Sequence, residues 1–333
     1  MALTFDQITA LTNKYYMPKF PQTVFDQNLL QKRLAAKGTK PSSGESIKQP
    51  IMHAMTKGGA YRPYDQFDTS AEQQVTAADF NWKYYEVPIV ISRDELLKNQ
   101  GPEGVKKLMD AKMKLARMKM SDLLATDMVA HSVLASRDTA AEVQCLELIY
   151  DDSSYTLTTA DYALGGITKA DLSTWAGTLT DVGGTGVGLN YIDMNVHYME
   201  IADGNIQPDL IALNNVPFGR YVGSQQQYQR YYKQSEMDAG FLTATFNGQA
   251  TLMADLHILD YGTTTETDNR CYFINTDFID FVTHRDENNR LEPFAKPVDQ
   301  AVGVAHIMWA GELTTSDPSR GGIMHNFDSL TAT

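Results

Sequence analysis

The chain has 333 residues, room for one large domain or two, and 43% of them are hydrophobic, enough for a real core. Its 41 acidic and 28 basic residues give a formal net charge of -13, which disfavours a sequence-specific nucleic-acid binder, since a phosphate-binding groove needs concentrated Lys and Arg. Cys145 and Cys271 are too few and too far apart for a thiol metal motif or a disulfide framework; no basic-then-apolar leader opens the chain and no apolar run reaches bilayer length, so a cytosolic product with no membrane contact is expected.

Residues 1–40 read as an arm. Thr4–Leu11 fits a short helix, Pro18 and Pro21 hold an extended segment, and Asp26 can cap a second short helix through Leu29, Leu30, Arg33 and Leu34 that stops at Gly38. Phe20, Val24, Phe25, Leu29 and Leu30 need a surface to cover them, on the same subunit or on a neighbour.

The stretch 44–132 follows. Ser46–Met55 and Val75–Ile91 read as two long strands flanking a polar loop that carries Gly58, Gly59, Tyr61, Pro63, Tyr64 and Asp65. Phe80, Trp82 and Tyr84 alternate, then the phase slips to Val87, Ile89 and Ile91, which predicts a bulge near Tyr84 and Tyr85. Pro88 cannot donate to a ladder and belongs on an edge or beside the bulge. Ser92 and Glu95 form a capping box, Gly101 closes that short helix, and Pro102 opens a long one in which Val105, Leu108, Met109, Met113, Ala116, Met120, Leu123 and Leu124 make one apolar stripe. Run on to Ser132, it spans roughly 45 Å. A lone hairpin is marginally stable in water, so this one either folds back on its own domain or projects onto a neighbouring copy, where Tyr61, Tyr64, Phe67 and Trp82 supply aromatic contacts.

Further on, Glu142–Tyr150 reads as a strand, Asp151–Ala163 as a polar connector, and Thr168 with Asp171 as a cap before a helix through Leu172, Trp175 and Leu179 that ends over Val182–Gly188. Tyr191–Ile201 fits helix or strand, helix being preferred. Leu210–Leu213 reads as a buried strand, and Asn214, Asn215 and Pro217 open a helix through Tyr221, Tyr228 and Tyr232. Gly248–Leu259 and Cys271–Asn275 read as strands separated by a polar loop, Asp277 as the cap of a turn holding Phe278, Ile279 and Phe281, and the end as β-rich, with Ala301–Leu313, a turn over Ser316–Gly322, and Ile323–Phe327.

Motifs that would carry chemistry are weak. Gly183, Gly184, Gly186 and Gly188 lack the spacing of a dinucleotide fingerprint, follow an expected helix and precede no phosphate-loop Lys, so a helix-terminating loop is the better reading. The seven histidines make no pair at ligand spacing; His257 and His306 fall in apolar strand patterns as hydrogen-bonded residues. No Ser sits in a nucleophile elbow, and Asp151 and Asp152 with Ser153 and Ser154 read as a turn rather than a calcium loop. No catalytic residue, cofactor or metal ligand is assigned. Lys106, Lys107, Lys112, Lys114, Arg117 and Lys119 put a local positive field on the long helix, read first as a solvated face and otherwise as contact with a polyanion or an acidic partner.

The order of elements resembles the major capsid protein of tailed bacteriophages, the Hong Kong 97-type fold. The resemblance rests on an arm, an extended hairpin over Gly44–Ile91, a long helix over Pro102–Ser132, a central α/β section opened by Pro208-Asp209-Leu210-Ile211-Ala212-Leu213-Asn214, and a late strand where Trp309-Ala310-Gly311-Glu312-Leu313 precedes Arg320-Gly321-Gly322-Ile323. It implies an α+β fold with an N-terminal arm (1–40), an extended hairpin loop (41–92), a peripheral domain with the spine helix (93–206), an axial α/β domain (207–300) and strands returning to the peripheral domain (301–333). It further implies a non-enzymatic, icosahedral head shell of hexamers and pentamers enclosing double-stranded DNA without sequence-specific binding. A separate scaffolding protein and a portal would be its partners, the virion its location, and the host cytoplasm its place before assembly. A nanocompartment shell of the same fold and a soluble α/β enzyme stay open as alternatives.

Overall fold

The structure is a computed structural model; it describes residues 28–54, 58–64, 66, 74–98, 102–129, 141–150, 164–168, 172, 174–184, 188–224, 243–258, 269–295 and 302–327. Helix α1 (Leu29–Lys37) leads to the hairpin β1 (Ile47–Met52) and β2 (Val75–Phe80), then β3 (Lys83–Ser92), α2 (Arg93–Lys98) and the 28-residue α3 (Pro102–Val129). After α4 (Leu146–Tyr150) come β4 (Thr178–Gly184), α5 (Tyr191–Ile201), β5 (Leu210–Leu213) and α6 (Asn215–Ser224). The rest is strand apart from a 3-10 turn at Pro318–Arg320: β6 (Thr243–Phe246), β7 (Ala250–Ala254), β8 (Asn269–Ile274), β9 (Ile279–Thr283), β10 (Arg290–Leu291), β11 (Val302–Thr315) and β12 (Gly322–Phe327).

Six strands form the central sheet in the order β4-β12-β8-β5-β7-β6, with β12/β4 and β5/β7 parallel and the other pairs antiparallel. Side chains alternate across a pleated sheet, and both faces here are apolar. Leu210, Ala212, Met253, Tyr272, Ile274 and Ile323 point into a core shared with α1, α3 and α4. Ile211, Leu213, Leu252, Cys271, Phe273 and Met324 point the other way, against Met194 and Tyr198 of α5 and Phe218 and Tyr221 of α6. The four residues of β5 are therefore all buried.

A second sheet centres on the 14-residue β11, which pairs antiparallel with β3, β9 and β10. Its inner face, Val87, Ile89, Ala305, Ile307 and Trp309, packs with the buried stripe Ala116, Met120, Leu124 and Met128 of α3. The predicted capping box is present: Ser92 Oγ accepts from Glu95 N and Glu95 Oε2 accepts from Ser92 N, each at 3.1 Å.

Several local expectations are corrected. The chain breaks at Asn81–Trp82, before the expected bulge, so β2 and β3 belong to different sheets. Asn28, not Asp26, occupies the N-cap of α1, and its amide donates to Ser121 O of α3 at 3.0 Å. Leu30 and Leu34 of α1 lie in the subunit's own core. Residues 146–150 are helical rather than a strand, a short apolar run whose periodicity does not separate the two. Thr178–Gly184 is a strand, not the end of a helix; Leu172, Trp175 and Leu179 have helical spacing, but the β-branched Thr178, Thr180 and Val182 suit the pleat and pair with β12. Gly248 lies in a tight turn between β6 and β7, where Asn247 (φ 47°) and Gly248 (φ 73°) take the left-handed conformations such hairpins need. Ile279 and Phe281 lie in β9 rather than in a turn. Sheet membership also crosses the expected division at residue 300: β9 and β10 join β11, whereas β12 joins the central sheet.

Candidate assembly surface

The β1–β2 hairpin pairs Ile47 with Phe80 through Met52 with Val75. One face, Ile47, Ile51, Ala78 and Phe80, is buried in the subunit's own core. Asp79 N donates to Gly165 O at 2.8 Å. Gly165 has φ +60°, and a Cβ there would stand 2.7 Å from Ala78 Cβ, so this seat requires glycine. Gln49 Nε2 adds a bond to Thr314 Oγ1 at 3.1 Å. The hairpin base is thus fastened at home.

Its other face is bare. Lys48 and Asp79 pair at 3.6 Å near the base, Pro50 opposes Ala77, and Met52 (85% exposed) opposes Val75 (54%) at the outer end. Beyond the ladder Tyr61 and Tyr64 are exposed, and Tyr64 holds φ 82°, a strained conformation for a bulky residue that costs about 1–3 kcal/mol. Trp82, by contrast, is at home on its own subunit: Nε1 donates to Gly44 O at 3.0 Å and the ring meets His284 edge-on at 5.4 Å. Phe20, Val24, Phe25 and Phe67 lie outside the described residues, as does the side chain of Leu29.

Hydrogen-bond parity shows how the strand edges are finished. His306 O accepts from Glu292 N, so residue 306 turns its main chain away from β3 and its partner Pro88 faces the free edge. The missing N–H of Pro88 therefore falls on that edge, and two residues on, Lys112 Nζ takes Val90 O at 2.8 Å. In β1 the same parity holds: His53 N bonds Gln74 O, which sends Pro50 to the unpaired side.

The basic residues of α3 divide. Lys112 is nearly buried and paired with Glu95 at 2.7 Å, Lys119 pairs with Asp122 at 3.0 Å, and Arg117 lines a groove with Lys32, Ser121, Asn288 and Asn289. Polar groups that sequence reasoning missed tie the elements together. Tyr85 OH donates to Asp127 Oδ2 at 2.6 Å while accepting from Val143 N, and burial drives its pKa far above the usual phenol range. Glu312 takes the N–H groups of Gln144 and Leu313 with Oε1, and Arg270 pairs with buried Glu147. His257 lies in a turn after β7, not in a strand, with Nδ1 3.1 Å from Asp255 and Nε2 3.2 Å from Asp122. Buried His197 touches Thr180 Oγ1 at 2.8 Å, and burial lowers its pKa to about 4. Each of these groups joins one element of the fold to another. The glycine-rich run follows a strand, contrary to expectation, but the N-terminus of α5 beyond it is filled by Asn190 Oδ1, which accepts from Asp193 N at 2.9 Å. Among the described residues no three His, Cys, Asp or Glu side chains are placed to hold a metal ion.

No family model and no curated protein matches the sequence. Solved structures do match. The capsid asymmetric unit of cyanophage A-1(L) superposes with a TM-score of 0.68 at 12% identity, covering 93% of this chain and 95% of that one. This is the Hong Kong 97-type fold. The capsid of a native GTA particle gives a TM-score of 0.60 at 8% identity, covering 95% and 96%. The holo-SrpI encapsulin complex of Synechococcus elongatus PCC 7942 gives 0.63 at 8%, covering 100% and 99%.

Proposed function

We propose that this chain is a major capsid protein that assembles with copies of itself into an icosahedral shell around double-stranded DNA. The observation that carries the reading is the match to a phage capsid chain, which at a TM-score of 0.68 over 93% of this chain and 95% of that one exceeds the 0.63 of the encapsulin. The role is structural rather than enzymatic.

The hairpin supplies the physics. It is anchored by one face and bare on the other, so Tyr61, Tyr64, Phe67 and the Met52–Val75 pair lie on a neighbouring copy, as do Phe20, Val24, Phe25 and Leu29 of the arm. Trp82 positions the hairpin base. Copies gather as hexamers and pentamers, with residues 207–300 supplying most of the axial domain, and a separate scaffold and a portal set the shell. Net charge of -13 keeps the inner wall from gripping DNA, which is held without sequence preference. Assembly draws chains from the host cytoplasm into the virion.

The encapsulin match, at full coverage of both chains, favours one second reading, a nanocompartment with protein cargo. Electron microscopy of the purified protein tests both. Closed particles are the expected result, with DNA inside favouring the capsid and protein cargo the compartment, and a subunit that stays monomeric even when co-expressed with its scaffold refutes a shell of either kind.

A further inference from the structure

Helices α5 and α6 form the outer layer of the central sheet, and their outward faces are unlike a solvated helix. On α5 Ile192, Val196 and Met199, spaced i, i+4, i+7, are 71%, 52% and 58% exposed, while Met194, Tyr198 and Ile201 on the opposite side are buried. On α6 the outward stripe is Val216, Gly219 and Gly223, spaced i, i+3, i+7, and a Cβ added at either glycine would meet nothing. Among the described exposed positions of the two helices Glu200 alone is charged. Helix α3, in the same chain, exposes Asp110, Lys114, Arg117 and Lys119. Charge dominates the exposed face of α3, where Leu115 is the one large apolar side chain among the described residues; it does not dominate the outer layer.

We infer that this layer is a contact between copies, in which the aliphatic ridge of α5 on one copy packs into the glycine-lined recess of α6 on the next. The inference rests on the shell reading and names a contact that the hairpin does not make. Two facts select a second copy as the occupant. Copies of charge -13 repel one another, so close approach favours a surface poor in acidic groups, and among this layer's described exposed positions Glu200 is the single acidic one. Ridge and recess also lie on different helices of one subunit, so they are complementary head to tail, the kind of contact that closes a ring of identical subunits. The ridge is held rigid for this use: Tyr191 OH donates to Asn247 Oδ1 and Asn247 Nδ2 to Asn195 Oδ1, each at 2.7 Å, tying α5 to the β6–β7 turn.

The test uses the full chain and two variants. Ile192→Lys with Val196→Lys puts charge on the ridge; Gly219→Leu fills the recess while favouring helix. Each should leave the subunit's unfolding midpoint within about 2 °C of the parent, since the sites are exposed, and lower particle yield by at least about tenfold in electron microscopy and sedimentation. Wild-type yields from both variants would overturn the contact and leave the shell reading intact. Parent protein that forms rings but no closed particles, with the rings lost in both variants, would overturn the shell and keep the contact. A parent that stays monomeric even when co-expressed with its scaffold would overturn both.

Discussion

His197 shows how one buried side chain sets a pH limit. Its ring lies 4.7 Å edge-on from Phe273 and against Gly322, where a Cβ would stand 2.8 Å from Nε2. Water is excluded, so the folded chain holds it neutral down to about pH 4, whereas the unfolded chain protonates it near 6.5. Below 6.5 the unfolded state binds more protons, so stability falls as pH falls, by about 2 kcal/mol at pH 5, and levels off below about 4. Denaturant titrations of the subunit at pH 7 and pH 5 should show this loss, and His197→Gln should remove most of the difference. At Met120, 1% exposed in the apolar stripe, substitution by Asp should cost several kcal/mol, whereas Lys114→Ala on the exposed side should cost at most about 1 kcal/mol. Equal losses in thermal unfolding would contradict the stripe.

At the scale of elements, the parts readable in the sequence are those with a local cause. The Ser92–Glu95 box, the Pro102 helix start, the alternation of Val87, Ile89 and Ile91 and the apolar run Leu210–Leu213 are dictated within a few residues. Residues 146–150 and 178–184 were not legible, because tertiary partners decide them: Glu147 is helical beside Arg270, and Leu179 is a strand residue because Ile323 lies next to it. The candidate surface divides the same way. Tyr61 and Tyr64 could be picked out as loop aromatics, but the bare pair Met52–Val75 and the outward rows of α5 and α6 needed the register and the burial. Pro88 gives an element-scale prediction. Pro88→Thr restores an N–H to the free edge of β3 without touching its buried face, so the unfolding midpoint should hold while light scattering reports more irregular association. Unchanged scattering would mean that Lys112 alone guards that edge.

For the whole molecule, two deletions separate self-packing from clamping. Replacing residues 56–74 with a short Gly/Ser turn keeps Ile47, Ile51, Ala78 and Phe80 in place, so subunit stability should change little while particles disappear from micrographs. Removing residues 1–37 takes out Leu30 and Leu34, both in the main core, and should cost several kcal/mol in denaturant unfolding. Removal of residues 1–27 alone should spare that core.

The position of β12 has a consequence for how the molecule is made. Residues 322–327 follow every other element in the chain, yet they sit between β8 and β4 and pair with both. Among the described strands β4 has no other partner, so it waits unpaired through synthesis of well over a hundred residues. A ribosome-bound chain therefore displays its hairpin long before it owns a finished central sheet. The outer layer of α5 cannot settle either, because His197 rests on Gly322. Completion of translation is therefore the step that fills the gap between β8 and β4 and gives α5 its seat on the sheet. Slow, non-local closure of the sheet is the physical timer.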